Sequence, residues 1–284
     1  MRELERDLLP TPSEEAPAVV VGRGRVGGSL ARAMRRVGLP VVLSASEDAS
    51  ASCRGAAAAL ICVPDDAIAD ICARVAAAEP APRLVGHVSG ATTLEALDAA
   101  LARGSAAFSL HPLQTFADER SRVEGAPCAV AGSDAAAEEF AAALAERVGM
   151  RPFAVPEERR AAYHAAASIA SNLLVALEEA AAELLDRAGI EDARELLAPL
   201  VLRTAANWAE QGAEALTGPI ARGDRDTVEH HREAISGLAP ELLGVYEALA
   251  ERAGRLAGSG HPASPQNGSP SLRSGTLASG GGAR

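Results

Sequence analysis

The sequence predicts an α/β protein, a doubly wound parallel sheet followed by an all-α C-terminal domain. From residue 18 to residue 156, short apolar runs alternate with stretches of helical periodicity. Such alternation is typical of βαβ units and a parallel sheet. From residue 157 to about residue 257 the periodicity is helical throughout. The length of 284 residues also exceeds one average domain, which favours two domains.

The two ends of the chain carry little apolar sequence. Residues 1–17 are polar and contain three prolines, and residues 258–284 are rich in Gly, Ser and Pro. Such segments bury too little apolar surface to fold. We therefore expect a flexible leader over 1–17, a sheet domain over 18–156, a helical domain over 157–257 and a disordered tail over 258–284.

Each element of the predicted sheet domain has its own signal. The β-branched run at 19–21 predicts a buried strand, and the helix after it ends at the Gly-Leu-Pro sequence of 38–40. Further strands are predicted at 40–43, 58–63, 83–88, 106–110, 128–131 and 152–155, with helices near 66–78, 93–102 and 134–148.

The turn between the first strand and its helix has the pattern GxGxxG. Gly22 permits a tight turn, Gly24 lets the backbone approach a pyrophosphate, and Gly27 lets helix and strand pack closely. The helix N-terminus offers free N–H groups and the positive end of a dipole. This context predicts a dinucleotide site of the Rossmann type, with contacts from Gly22, Arg23, Gly24, Arg25, Val26 and Gly27.

The end of the second strand bears on which nicotinamide is bound. An acidic residue there would bind the ribose 2′-OH of NAD, but Ser44, Ala45 and Ser46 follow the strand instead. Ser44 and Ser46 could donate to a 2′-phosphate, and Arg23 could pair with it. We therefore predict NADP as the cofactor, with NAD as the alternative. Further cofactor contacts are predicted at later strand ends, from Val63, Pro64 and Ser89.

Composition excludes several classes of function. The net charge of −11 disfavours nucleic acid as a partner. All 27 basic residues are arginine, so Schiff-base chemistry on a protein lysine is excluded. The four cysteines form no CxxC pair, which favours reduced core thiols in a cytoplasmic protein and no metal site. We find no signal peptide and expect no segment apolar enough to span a membrane.

Polar residues in two segments are candidates for chemistry. His111 and Gln114 lie on an irregular segment at a strand exit, where binding residues concentrate. His164, Ser168 and Asn172 are spaced at i, i+4 and i+8 in an alanine-rich helix, so one face would carry all three. This row could face a substrate opposite the nicotinamide, or it could form hydrogen bonds between helices.

A turn between later helices offers a hydroxyl and an arginine, Thr217 and Arg222. It could bind a carboxylate, although a turn that caps a helix needs no ligand.

The motifs together resemble a known family. The glycine loop, V-P-D-D at 63–66, H-V-S-G-A at 87–91, H-P-L-Q-T-F at 111–116, Y-H-A-A-A-S-I-A-S-N at 163–172 and L-T-G-P-I-A-R-G-D at 216–224 look like Rossmann-like proteins with a C-terminal helical domain of unknown function. These are relatives of pyrroline-5-carboxylate reductase, ketopantoate reductase and the β-hydroxyacid dehydrogenases. The resemblance implies an NAD(P)-dependent oxidoreductase with a helical domain like that of 6-phosphogluconate dehydrogenase, commonly a dimer through that domain.

One departure from these relatives affects the chemistry. β-Hydroxyacid dehydrogenases have a lysine one helical turn before the asparagine, whereas this chain has Ser168 there, before Asn172. We therefore expect His164 to act as general acid in hydride transfer to a small oxo- or imino-acid, for example a ketopantoate-like acid. Asn172 and Ser168 would orient the substrate, Gln114, Thr217 and Arg222 would bind it, and His111 is the alternative acid. The competing hypotheses are an inactive dinucleotide-binding sensor or scaffold protein and a deazaflavin-linked reductase of the same fold.

Overall fold

The computed structural model describes residues 16–258 of the chain. Most of the predicted leader and nearly all of the predicted tail lie outside the described residues. The chain divides into two compact units, residues 1–174 and residues 175–284. We call them the sheet unit and the helical unit and describe each by itself.

The sheet unit alternates strands and helices as predicted. The strands are β1 (Ala18–Val21), β2 (Val41–Ser44), β3 (Ala58–Ile61), β4 (Leu84–His87), β5 (Ala106–Pro112), β6 (Pro127–Gly132) and β7 (Arg151–Ala154). The helices are α1 (Arg25–Arg36), α2 (Ala49–Ser52), α3 (Ile68–Ala76), α4 (Asp98–Leu101), α5 (Ala135–Arg147) and α6 (Arg160–Ala170). Short 3₁₀ turns precede several of these helices.

The seven strands form one sheet in the order β2-β1-β3-β4-β5-β6-β7. Every neighbouring pair from β2 to β5 is parallel, and so is the pair β6 and β7. The prediction of a fully parallel sheet is wrong at one junction, because β6 runs antiparallel to β5. A parallel return needs a long crossover, usually helical, and residues 113–126 form an irregular loop instead. The α/β fold class itself is confirmed.

The core of the sheet unit lies on both faces of the sheet. Val20, Leu60 and Phe108 pack on one face with α1 and α5. Val19, Ile61 and Val85 pack on the other with α3. Strands covered on both faces read as continuous apolar runs, which explains why they were visible in the sequence. All four cysteines are buried free thiols, which confirms their prediction as core residues.

The helices predicted after residue 156 are present. After α6 come α7 (Asn172–Arg187), α8 (Ala193–Gln211), α9 (Pro219–Arg222), α10 (Arg225–Leu238) and α11 (Leu243–Gly258). The predicted row of His164, Ser168 and Asn172 does not lie on one continuous helix, because α6 ends before Ser171. Ser171 has φ −129° and ψ −80°. Serine and asparagine compete with helical hydrogen bonding, which favours a break at this Ser-Asn sequence.

One helical stretch is long and apolar enough to cross a membrane, judged by length and composition alone. Within residues 157–187, a window of 18 residues has a mean hydropathy of 1.2, and this window is not buried in the structure. Alanines and exposed aliphatic side chains raise this average, and the absence of a membrane span stays a prediction. The stretch is interrupted at Ser171, and its first turn contains ionised groups that bind the sheet, as described below.

Candidate functional site

The glycine loop joins β1 to α1 with the geometry of a dinucleotide-binding turn. Gly22 has φ +116°, and a Cβ there would lie 2.2 Å from the carbonyl oxygen of Cys62. A Cβ on Gly27 would lie 2.0 Å from the carbonyl oxygen of Gly22. Packing alone therefore requires both glycines. Gly24, the N-cap of α1, differs, because a Cβ there would meet no atom within 4 Å.

The open space at Gly24 fits the group that the motif implies. The α1 N-terminus presents backbone N–H groups beside it, and Arg23 and Arg25 are exposed on the same turn. Anions bind at such helix ends because the free N–H groups and the helix dipole favour negative charge. The residues present therefore suit a pyrophosphate. Val26 is half-buried behind them.

The structure does not place Ser44 where a 2′-phosphate donor is expected. Its side chain is 2% exposed. Its hydroxyl lies 2.8 Å from the Ser52 hydroxyl and 2.9 Å from the carbonyl oxygen of Ala45. These internal bonds occupy the group predicted to meet the phosphate. Ser46 is half-buried in the next turn.

The loop of residues 113–126 packs against the start of α1. Arg25 donates to the carbonyl oxygen of Phe116 (3.4 Å), and Ser29 donates to that of Asp118 (3.2 Å). The Gln114 amide donates to the carbonyl oxygen of Arg122 at 2.9 Å. Gln114, predicted to bind substrate, thus supports the loop's own conformation.

Three predicted cofactor contacts, Val63, Pro64 and Ser89, follow the carboxyl ends of β3 and β4. Val63 is half-buried beside Gly22, and Pro64 is exposed next to it. The Ser89 hydroxyl accepts from the backbone N–H groups of Ala91 (3.1 Å) and Thr92 (2.9 Å). Ser89 therefore stabilises its own turn. Because its hydroxyl already accepts two hydrogen bonds within this turn, it is not free to accept one from a cofactor, as its predicted role would require.

His87 at the end of β4 is a structural histidine. Its Nδ1 accepts from the Ser89 backbone N–H (3.2 Å), so the ring proton is on Nε2, which faces the carbonyl oxygen of Thr93 at 3.3 Å. Burial, with a smaller contribution from Arg160, lowers the pKa of His87 to about 4. The ring is therefore neutral at pH 7.

Two histidines meet beside a glycine at the end of β5. The His111 and His164 rings lie edge to face, with centroids 6.1 Å apart. A Cβ on Gly90 would lie 2.7 Å from His164 Cδ2 and 2.8 Å from His111 Nε2. Glycine is therefore needed at residue 90, because both imidazoles pack where a side chain would lie. The structure brings together the two histidines that the sequence analysis ranked as candidate acids.

The environment of His111 keeps its ring neutral. The pKa of His111 is lowered to about 4, mainly by burial. His164 and Arg160 contribute to this lowering, and Asp65 has a smaller opposing effect. Its Nδ1 lies 2.7 Å from the Tyr163 hydroxyl. A neutral imidazole can donate a hydrogen bond to a polarised carbonyl without carrying a charge into the site.

Arg160 is a central residue that the sequence analysis missed. It is 1% exposed. Its guanidinium donates to the Ser109 hydroxyl (2.7 Å), the Ser89 carbonyl oxygen (3.1 Å) and Glu157 (3.0 Å). Glu157 in turn accepts from the backbone N–H of Leu94 at 2.8 Å. This pair fixes the start of α6 against the ends of β4 and β5.

The only sequence signal for the pair was its i,i+3 spacing in the charged run at 157–160. Exposed helix starts carry the same pattern, so spacing could not show that Arg160 is buried. Tyr163 and Ser109 were likewise not singled out, because neither belongs to a recognisable catalytic pattern.

The remaining predicted residues are not joined to this cluster by any described hydrogen bond. Ser168 is half-buried on α6, and Asn172 is exposed at the start of α7. Thr217 and Arg222 are exposed in the helical unit, before and at the end of α9. Among residues 16–258, no group of three or more histidine, cysteine or acidic side chains could hold a metal ion.

Comparison with solved structures supports the fold. A Bacteroides fragilis protein described as a candidate NADP oxidoreductase has a TM-score of 0.71 at 22% identity, over 84% of this chain and 98% of that chain. A reductive aminase from Aspergillus terreus, in complex with NADPH and ethyl-5-oxohexanoate, has a TM-score of 0.60 at 16% identity, over 84% and 94%. Pyrroline carboxylate reductase from Plasmodium falciparum, with NADP bound, has a TM-score of 0.54 at 10% identity, over 86% and 99%. At these identities the likeness establishes the fold.

Sequence comparison adds a family. No curated protein matches the chain. Residues 126–253, from just before β6 into α11, match the model of a domain of unknown function, DUF2520. This match and the structural neighbours confirm the resemblance drawn from the motifs. The chain therefore has a Rossmann-like fold followed by a helical region, and its residues 126–253 are similar to DUF2520.

Proposed function

We propose that this protein is an NADP-dependent oxidoreductase that acts on a small oxo- or imino-acid. The observation that carries the proposal is the open space at Gly24 on the same edge of the sheet as the His111 and His164 pair. In open α/β sheets, ligands bind at the carboxyl ends of the strands. A dinucleotide site and two titratable rings at that edge suit a redox reaction with proton handling.

NADP is supported by the absence of an acidic residue at the end of β2 and by the exposed guanidinium of Arg23. NADP and NADPH are also the cofactors named for two of the structural neighbours. Bound NADPH would supply the hydride. Gly22, Gly24 and the first turn of α1 would hold the pyrophosphate, while Arg23 and Ser46 would face the 2′-phosphate.

The two histidines have different roles in this proposal. His111 is neutral and donates a hydrogen bond to the carbonyl oxygen or imine nitrogen. His164 is the proton donor, with Ser168 and Asn172 as orienting groups. In the helical unit, Arg222 and Thr217 are proposed as carboxylate-binding residues, since arginine offers paired N–H donors to that group.

Fluorescence titration with NADPH and NADH tests the cofactor. Replacing Arg23 by alanine should weaken NADPH binding roughly tenfold or more, because a hydrogen bond to a charged group is worth about 1.5–3 kcal/mol. NADH binding should change little. Arg32→Ala removes an exposed arginine further along α1 and serves as the matched control. No binding of either nucleotide at submillimolar concentration would refute the cofactor assignment.

Oxidation of NADPH with a panel of 2-oxo acids and cyclic imino acids tests the reaction. His164→Ala should lower kcat by about 10²–10⁴-fold, the usual contribution of a general acid. Arg222→Ala should mainly raise KM, with the neighbouring exposed Arg225→Ala as control. Tight NADPH binding without turnover of any member of the panel would instead favour the inactive sensor or scaffold.

We also propose that the protein is a cytoplasmic homodimer formed through the helical unit. Large apolar side chains of that unit are exposed, among them Leu202 and Trp208. Such surfaces mark interaction sites. Sedimentation velocity should give a dimer in wild type and a monomer in Leu202→Glu, and a wild-type monomer at micromolar concentration would contradict the proposal.

A further inference from the structure

Both tyrosines of this chain place their hydroxyl at the Nδ1 of a histidine. Tyr163 lies 2.7 Å from His111 in the sheet unit, and Tyr246 lies 3.0 Å from His231 in the helical unit. The ring arrangements are alike, with centroids 5.6 Å apart at 86° in the first pair and 6.0 Å apart at 83° in the second. The surroundings differ, because His231 is exposed and His111 is largely enclosed.

The enclosed pair is held from several sides. The Tyr163 ring packs edge to face on Phe153 of β7, with centroids 5.9 Å apart. His111 belongs to β5, so the hydrogen bond joins the sheet to α6. The opposite edge of the His111 ring, at Cε1 and Nε2, packs against Gly90. Among residues 16–258, the structure shows no hydrogen bond to this Nε2.

We propose that Tyr163 is a positioning residue for His111: its hydroxyl donates to Nδ1 and thereby fixes the tautomer that presents an N–H from Nε2 to a carbonyl or imine ligand. The role toward a ligand rests on the proposed function. The tautomer rests only on the described geometry.

The direction of the Tyr163 hydrogen bond follows from the chemistry of the two groups. A phenol carries a more acidic proton than a neutral imidazole N–H, and an unprotonated imidazole nitrogen accepts better than a phenol oxygen. Burial raises the pKa of Tyr163 to about 12, so the hydroxyl keeps its proton at neutral pH. The charged or titratable groups that act on the pair are Asp65, Arg160, His164 and Cys128. Within the described part of the chain, none of these four groups forms a hydrogen bond with His111 or Tyr163 that would compete with the pairing.

A fixed tautomer matters because the other one would offer a lone pair. With the proton on Nδ1, Nε2 would repel a carbonyl oxygen on which negative charge develops. With the proton on Nε2, His111 holds that charge by a hydrogen bond that is in place before the reaction starts. The neutral ring can do so without donating its proton, which leaves proton transfer to His164.

Long-range ¹H–¹⁵N spectra of the whole protein, labelled with ¹⁵N-histidine, test the assignment without nucleotide or substrate. His111→Gln and His231→Gln identify the two signals. Wild-type His111 should show the Nε2–H tautomer at pH 7. Tyr163→Phe keeps the ring on Phe153 and should give a mixture of tautomers, whereas Tyr246→Phe should leave the His111 signal unchanged.

Two results would overturn the inference: an Nδ1–H tautomer in the wild type, or an unchanged tautomer in folded Tyr163→Phe. The wild-type spectrum decides the first point even if the variant fails to fold. If NADPH oxidation is found, Tyr163→Phe should lower kcat about three- to tenfold with KM unchanged, the effect expected for one neutral hydrogen bond. Because the spectra need no cofactor, failure of the proposed function would leave the tautomer result standing.

Discussion

The two units of this chain bury their apolar residues to very different degrees. Every residue of β1, β3 and β4 in the sheet unit is buried. In the described part of the helical unit, the buried apolar residues are Ala193, Ile235 and Ala239. The helical unit instead exposes aliphatic side chains and the single tryptophan, Trp208, which is 65% exposed. In the sheet unit, helices cover both faces of the sheet, whereas the amphipathic helices of the helical unit need a further surface to cover their apolar faces.

This contrast predicts that similar substitutions have large effects in the sheet unit and small ones in the helical unit.

The ion pair of buried Arg160 with half-buried Glu157 should give the largest effect. Arg160→Met leaves Glu157 without its cation and removes three hydrogen bonds, so the free energy of unfolding should fall by about 3–5 kcal/mol. Arg194→Met, which breaks an exposed pair with Glu179 in the helical unit, should cost less than about 1 kcal/mol. Urea unfolding at pH 7 measures both, and equal losses would contradict the contrast.

Core and surface leucines provide a matched comparison of packing. Leu110 is 1% exposed in β5, and Leu202 is 71% exposed in α8. Leu110→Ala should lower the free energy of unfolding by about 2–5 kcal/mol through lost burial and a new cavity. Leu202→Ala should stay within about 0.5 kcal/mol in the monomer. A large loss for Leu202→Ala in dilute monomer would mean that its face is already covered.

The buried histidines of the sheet unit should make the protein sensitive to acid. The pKa of His87 falls from its ordinary value of 6.5 to about 4 in the folded state. The unfolded chain therefore binds a proton first, and stability is lost as the pH falls from about 6.5 to about 4, by at most about 3 kcal/mol for this group. His111 should act in the same direction over the same range.

Urea unfolding at several pH values measures this acid sensitivity. His87→Gln should flatten the dependence of stability on pH between 4 and 6.5. His230→Gln replaces an exposed histidine of the helical unit and should leave the slope unchanged. A slope that survives in His87→Gln would assign the acid sensitivity to other groups.

The smallest signal should come from Trp208 in the proposed dimer. Because Trp208 is the only tryptophan, its emission reports the exposed face of α8 alone. Emission should move to shorter wavelengths as the protein concentration rises through the association range, and Leu202→Glu should abolish the shift. A wavelength independent of concentration, together with a stable dimer by sedimentation, would place the interface elsewhere.

The sequence predicted the fold of the sheet unit better than the site on it. Strands buried on both faces appear in the sequence as apolar runs. Gly22 and Gly27 could be assigned from the sequence because no side chain fits at either residue, so both residues must be glycine. The antiparallel pairing of β5 and β6 was missed, since an apolar run has no direction. The break at Ser171 was missed because i,i+4 spacing continues through it without change.

The candidate site was predictable where a residue type carries its own chemistry. His111 and His164 could be singled out as titratable side chains, one at a strand exit and the other on an alanine-rich helix. Ser44 and Ser89 were predicted as ligand donors, yet their hydroxyls bond to neighbouring residues. Hydrogen-bond partners that are close in sequence compete with ligands for such hydroxyls. The sequence pattern alone does not show which of the two partners a hydroxyl binds.

By itself, the sequence determined the alternation of strands and helices, the glycine loop and the candidate histidines, because each depends on residues close together along the chain. Only the tertiary structure decided that Arg160 is buried against Ser89 and Ser109, and that Tyr163 bonds His111. These contacts join residues 51 to 71 positions apart. They exist because parallel strands bring their carboxyl ends to one edge of the sheet, where α6 begins.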